Sequence, residues 1–246
     1  MPRQSTLRDN HLTRRRFIRT AGIITVATTL DLVPGWHIAY AGALTKEKRE
    51  KLTPDDIIAL MKKGNERFRR GKESPHDYLK QQKATAKGQY PMAVILSCID
   101  SRAPAETIMD LGIGDCFNAR EAGNVANDDT LGSMEFACKV AGAKVVLVMG
   151  HTACGAIKGA IDNVQLGNLT GLLAKIRPAV EATQYQGERS TKNYGYVDAV
   201  ARKNVELTMV EIRRRSAVLA DLETSGAIKI AGALYNLETG KVDFFA

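Results

Sequence analysis

The run Ala93-Val94-Ile95-Leu96, followed after Ser97 by Cys98-Ile99-Asp100-Ser101-Arg102, decides the fold. Its first part is short, apolar and unbroken, the pattern of a strand buried on both faces. The same arrangement recurs further along, where Lys144-Val145-Val146-Leu147-Val148-Met149-Gly150 leads into His151-Thr152-Ala153-Cys154. Parallel strands of one sheet present their carboxyl ends on the same side, so Cys98 and His151 emerge together at the edge where open α/β sheets carry their sites. Cys154 follows within reach of the same point.

Working outward, residues 129–142 read as a helix ended by glycine. Strand, helix and strand in that order make a right-handed crossover and support a parallel sheet. Residues 228–235 form a last strand and residues 241–244 an edge, while residues 196–215 form a long amphipathic helix with Val197, Val200, Val205, Met209 and Ile212 on one face. The fold class is α/β, with a central, mostly parallel sheet of four to five strands flanked by helices. Nearer the amino end, Thr53-Pro54-Asp55-Asp56 is a helix start: Thr53 caps, Pro54 takes the first helical position, and two acids sit in the first turn. That helix is either a cover for the sheet or an arm laid on a second subunit. The organisation is residues 1–41 as a leader, 42–88 as an N-terminal helical arm, and 89–246 as the α/β domain that carries the site.

Two sulfurs and an imidazole suit zinc, a borderline-soft ion that takes tetrahedral geometry. Three protein ligands leave one position open, the pattern of a catalytic site. Asp100 and Arg102 lie two and four residues beyond Cys98, where an extended backbone points them the same way. Arg102 can hold Asp100 in a bidentate pair, keeping it ionised and aimed. The carboxylate then either accepts a hydrogen bond from water on the metal or takes the fourth position itself.

These two groups, with Gly114-Asp115-Cys116-Phe117-Asn118-Ala119-Arg120-Glu121-Ala122-Gly123-Asn124 between them, closely resemble the β-class carbonic anhydrases. The likeness runs from about residue 50 to the end, with Glu121 where the family usually has Asn and Ile99 where Ser is common. The resemblance implies one zinc per chain on Cys98, His151 and Cys154, with Asp100 a fourth ligand when the site closes. It implies reversible hydration of carbon dioxide to bicarbonate and a proton by zinc-bound hydroxide, with Asp100 and Arg102 catalytic, and assembly as a homodimer or homotetramer. Gln89, Phe117 and Gly155 fall at substrate-contacting positions. Another branch closes its site with bicarbonate held by a Trp, an Arg and a Tyr. Arg120 matches that Arg, but Ile95 replaces the Trp, which favours the open form. Relatives with the same zinc site hydrolyse carbon disulfide or carbonyl sulfide, and a non-catalytic zinc-binding protein is the remaining rival; Asp100 and Arg102 argue against the latter.

The first forty residues are of another kind. Thr13-Arg14-Arg15-Arg16-Phe17-Ile18-Arg19 is a twin-arginine signature, an apolar run from Ala21 to Ala27 follows, and Ala39-Tyr40-Ala41 offers a cleavage site before Gly42. Asp31 and Pro34 interrupt what would otherwise be a membrane anchor. Export to the periplasm is the expectation. The formal net charge is +8; six Arg and two Asp in the leader account for half of it, and what is left gives no basis for nucleic-acid binding. Four cysteines in an exported chain raise the prospect of disulfides. With Cys98 and Cys154 assigned to metal, Cys116 and Cys138 read as core residues, a bridge between them being the alternative. Of four histidines only His76 and His151 lie beyond the leader.

Overall fold

The computed structural model describes residues 43–245. The twin-arginine stretch, the cleavage position at Ala41-Gly42 and Trp36 lie outside them. Five strands form one sheet in the order β2-β1-β3-β4-β5, where β1 is Ala93–Ser97, β2 Cys116–Arg120, β3 Val145–His151, β4 Lys229–Tyr235 and β5 Val242–Phe245. All neighbours are parallel except β5, which runs antiparallel to β4. The strands β1 and β3 are buried along their whole length, as their unbroken apolar runs require.

Side chains alternate across the sheet and build two cores. On one face Ile95, Leu147 and Ala231 pack with Ile57, Ile58, Leu60 and Met61 of α2 (Pro54–Arg69) and with Ile108 of α4 (Ala105–Ile108). On the other, Val94, Leu96, Val146 and Val148 meet Leu131 and Met134 of α5 (Asp128–Glu135), Val205, Met209 and Ile212 of α8 (Tyr194–Arg215), and Leu219 of α9 (Ala217–Thr224). A third cluster joins α6 (Gly155–Ile161), α7 (Gly167–Ala182) and the first half of α8 to Cys98 and Cys154. The site therefore rests on packed helices at the carboxyl edge of the sheet.

The helix α2 starts as its sequence dictates. The Thr53 hydroxyl accepts from the Asp56 N–H, and the Asp56 carboxylate accepts from the Thr53 N–H, a reciprocal cap that is worth about 1 kcal/mol. Its apolar face covers the sheet within the same chain. The helix expected over residues 129–142 is not regular to its end. After α5 the chain widens into a π turn, Phe136–Val140, and stops at Gly142 with φ 81°. Here α1 (Lys46–Glu50) intervenes: the Arg49 guanidinium donates to the Ala141 carbonyl and lies where a Cβ on Gly142 would be. Such a contact from 92 residues away leaves no local signal.

All four cysteines are free thiols. Cys116 packs against the core on one face of the sheet and Cys138 belongs to the core on the other, so a bridge between them cannot form. Burial pushes the Cys138 thiol up to about 12 and Cys116 higher still. Among the described residues no helix is long and apolar enough to cross a membrane.

Candidate metal centre

The register places the site. Ser97, the last residue of β1, pairs with Met149 of β3, so Cys98 leaves the sheet beside Gly150 and His151. The ligating atoms of Cys98, His151 and Cys154 lie within 4.8 Å of one another, and all three residues are buried. The two sulfurs are 4.0 Å apart; sulfurs each 2.3 Å from a tetrahedral ion would be separated by about 3.8 Å. His151 Nδ1 hydrogen-bonds the Thr152 carbonyl at 2.9 Å, which fixes the tautomer with the proton on Nδ1. Nε2 is left buried without a hydrogen-bond partner, facing the sulfurs. A buried nitrogen acceptor without a hydrogen-bond partner beside two thiols is a donor set that fits zinc.

The chain prepares those sulfurs for a positive charge. The Cys98 thiol, hydrogen-bonded by Cys154 and by the Gly123 N–H with the His151 imidazole beside it, is held below its ordinary range against the cost of burial. Once Cys98 is ionised, its hydrogen bond, burial and its charge push the Cys154 thiol far up. Of the two thiols, Cys98 is the one the site favours as a thiolate. Burial opposes charge on His151, but the Cys98 thiolate, the Thr152 carbonyl and Asp100 outweigh it, so the imidazole is raised. Gly123 is favoured at its place: its φ is 65°, and a Cβ there would stand 2.5 Å from Ile176 Cδ1.

Asp100 and Arg102 form the bidentate pair. Arg102 Nε donates to Oδ1 at 3.0 Å and Nη2 to Oδ2 at 2.8 Å, and the Arg102 N–H adds a third bond to Oδ1 at 2.9 Å. The guanidinium holds the Asp100 carboxyl well below the usual carboxylate range. Its Oδ2 lies 3.8 Å from His151 Nε2, so the carboxylate faces the ligand cluster while committed to Arg102.

Three supporting residues carried no role in the sequence reading or a different one. Arg120, the last residue of β2, donates to the backbone carbonyls of Cys98 at 2.9 Å and Asp100 at 2.6 Å, clamping the loop between them. Asn204 of α8 donates to the Gly123 carbonyl at 2.7 Å, and Asp198 of the same helix accepts from the Ala153 N–H at 2.8 Å. The signal for Asn204 was an amide buried in an apolar helical stripe, since such a group must find a partner.

Of the positions that the resemblance matched to substrate contacts, Gln89 and Phe117 lie away from the Cys98, His151 and Cys154 cluster of the same chain, and Gly155 lies beside it. Gln89 is exposed before the amino end of β1, a strand's length of about 15 Å from Cys98. Phe117 pairs with Val94, also toward that end, and stacks edge-on against Phe136 at 6.2 Å. It lines an open groove of about 840 Å³ along β2 with Arg120, Glu121 and Asn127. Gly155 is exposed at the start of α6, beside Cys154, with open space where its side chain would be.

A family model described as carbonic anhydrase matches residues 93–242. The chain is 33% identical to carbonic anhydrase 2 of Mycobacterium tuberculosis over 74% of its own length and 87% of that protein's, and 31% identical to a carbonic anhydrase of Mycolicibacterium smegmatis over 74% and 89%. Among solved structures it is similar to the β-carbonic anhydrase CafA of Aspergillus fumigatus, with a TM-score of 0.60 and 28% identity, covering 66% of this chain and 79% of that one.

Proposed function

Because this chain belongs to the β class of the carbonic anhydrase family, we propose that it catalyses the reversible hydration of carbon dioxide to bicarbonate with one zinc ion held by Cys98, His151 and Cys154. The observation that carries the zinc assignment is the buried, unpartnered His151 Nε2 within reach of two thiols. Bound zinc supplies a water acidified toward neutrality. Asp100 accepts a hydrogen bond at the open position and aims the nucleophile's lone pair, Arg102 keeps that carboxylate ionised and away from the metal, and Arg120 fixes the loop that carries both. Carbon dioxide sits in an apolar niche near Phe117, with Gln89 or a backbone amide near Gly155 bonding a substrate oxygen.

Gln89 and Phe117 can reach a metal centre only from another copy of the chain, which supports a homodimer or a homotetramer built from dimers. The sheet's edge is consistent with that: β2 is paired on one side only, and Phe136 stands exposed beside its groove. The twin-arginine leader supports export to the periplasm as a folded chain, with zinc protecting the thiols.

The test is stopped-flow carbon dioxide hydration by the chain beginning at Gly42, with zinc quantified in the same sample and Cys98→Ser as control. Fast hydration that tracks one zinc per chain and disappears in the control is the expected outcome. Full zinc with negligible hydration would move the substrate to carbon disulfide or carbonyl sulfide, or leave a binding role.

A further inference from the structure

We propose that Asp198 is a positioning residue for the metal centre, its carboxylate holding the turn that delivers Cys154 beside His151. The inference rests on the zinc reading above.

Ala153 stands between the two ligands with φ 54°, in the left-handed region that a residue with a Cβ adopts reluctantly. Without that conformation the chain leaving β3 would not turn back to bring the Cys154 sulfur within 4.0 Å of Cys98. The surroundings must therefore impose it. On one side the turn is tied to the sheet: the Thr152 N–H donates to the Tyr235 carbonyl at 2.9 Å, and the Leu237 N–H donates to the Thr152 hydroxyl at 3.0 Å. On the other side Asp198, from the first turns of α8, accepts the Ala153 N–H at 2.8 Å. That bond grips the strained residue itself. Carboxylate to amide is a charge-assisted hydrogen bond, and α8 is anchored by Val197 and Val200, both fully buried. The helix thus serves as a fixed post against which the turn is held in its ligating shape.

Zinc affinity measured by chelator competition, and the sulfur-to-metal absorption band of the cobalt-loaded protein, test this. Asp198→Ala is expected to weaken zinc 10- to 100-fold and to alter the cobalt band, the range found when a residue behind a metal ligand is removed. Asp198→Asn keeps an acceptor oxygen and should retain most of the affinity. Ala153→Gly added to Asp198→Ala should recover part of the loss, because glycine takes the left-handed conformation freely. Arg213→Ala, which breaks an ion pair of α8 with Glu223 far along the helix, controls for general loosening and should leave affinity unchanged. Wild-type affinity in Asp198→Ala, or an equal loss in Arg213→Ala, would overturn the positioning role alone. A wild-type chain that takes up no zinc would overturn the zinc reading and this inference with it.

Discussion

Two clusters of buried polar side chains flank the segment from Cys98 to Asp110, and they differ in whether the chain completes them. At Asp110, burial alone would raise the carboxyl, but Arg67, His76 and Ser74 together hold it below its ordinary range. Its oxygens accept from the Ser74 N–H and hydroxyl at 3.0–3.2 Å, from Arg67 Nε, and meet His76 Nε2 at 2.8 Å. Charge and hydrogen bonds are balanced within the protein. At Cys98, His151 and Cys154 they are not: Nε2 has no partner, and two sulfurs compete for one proton. A buried polar cluster that satisfies itself is part of the scaffold, whereas one that leaves a buried acceptor beside two thiols is a candidate site.

The comparison breaks most completely at Cys98. Cys98→Ser should reduce zinc content and hydration together to background, read by metal analysis and stopped flow on the same sample. Retained zinc would mean that the cluster does not need its second sulfur. Next, Asp100→Asn should keep full zinc yet lower kcat/KM by about 10³-fold, since it removes an oriented proton acceptor and not a ligand; an unchanged rate would remove Asp100 from the mechanism.

At the self-satisfied cluster the readout is stability. Asp110→Asn leaves Arg67 and His76 facing a neutral group and should cost about 3 kcal/mol at neutral pH, measured by denaturant unfolding, with zinc stoichiometry unchanged. Because the folded carboxyl is lowered, its contribution is fully present above the unfolded value near 3.9 and is lost as pH falls through the folded one. The gap between wild type and Asp110→Asn should therefore stay level down to about pH 4 and close below it. The smallest effect is expected for Ser74→Ala, about 1 kcal/mol, because the Ser74 N–H and Arg67 still serve the carboxylate. A loss as large as that of Asp110→Asn would show the cluster to depend on the hydroxyl.

The strands that carry the ligands were legible because both are fully buried, so their sequences are continuous apolar runs with the chemistry immediately after. The cap of α2 and the extent of α8 were legible for similar reasons, being set by residues a few positions apart. Asp198 was not: on an amphipathic helix it reads as one more solvent-facing acid, and only the packing of α8 behind the 151–154 turn gives it an amide to accept. The same holds for Arg120, matched to a bicarbonate-binding position by resemblance yet engaged here with the carbonyls of Cys98 and Asp100.

The sequence by itself determined which donor side chains gather and on which edge of the sheet, because donor chemistry is intrinsic to a side chain and strand direction follows from buried, crossover-linked runs. Only the tertiary structure decided what holds those atoms still, which buried acid is scaffold and which is site, and that Gln89 stands a strand's length from the ligands. Each of these depends on groups far apart in the chain, and hydrogen bonds between such groups are created by packing, which no local pattern records.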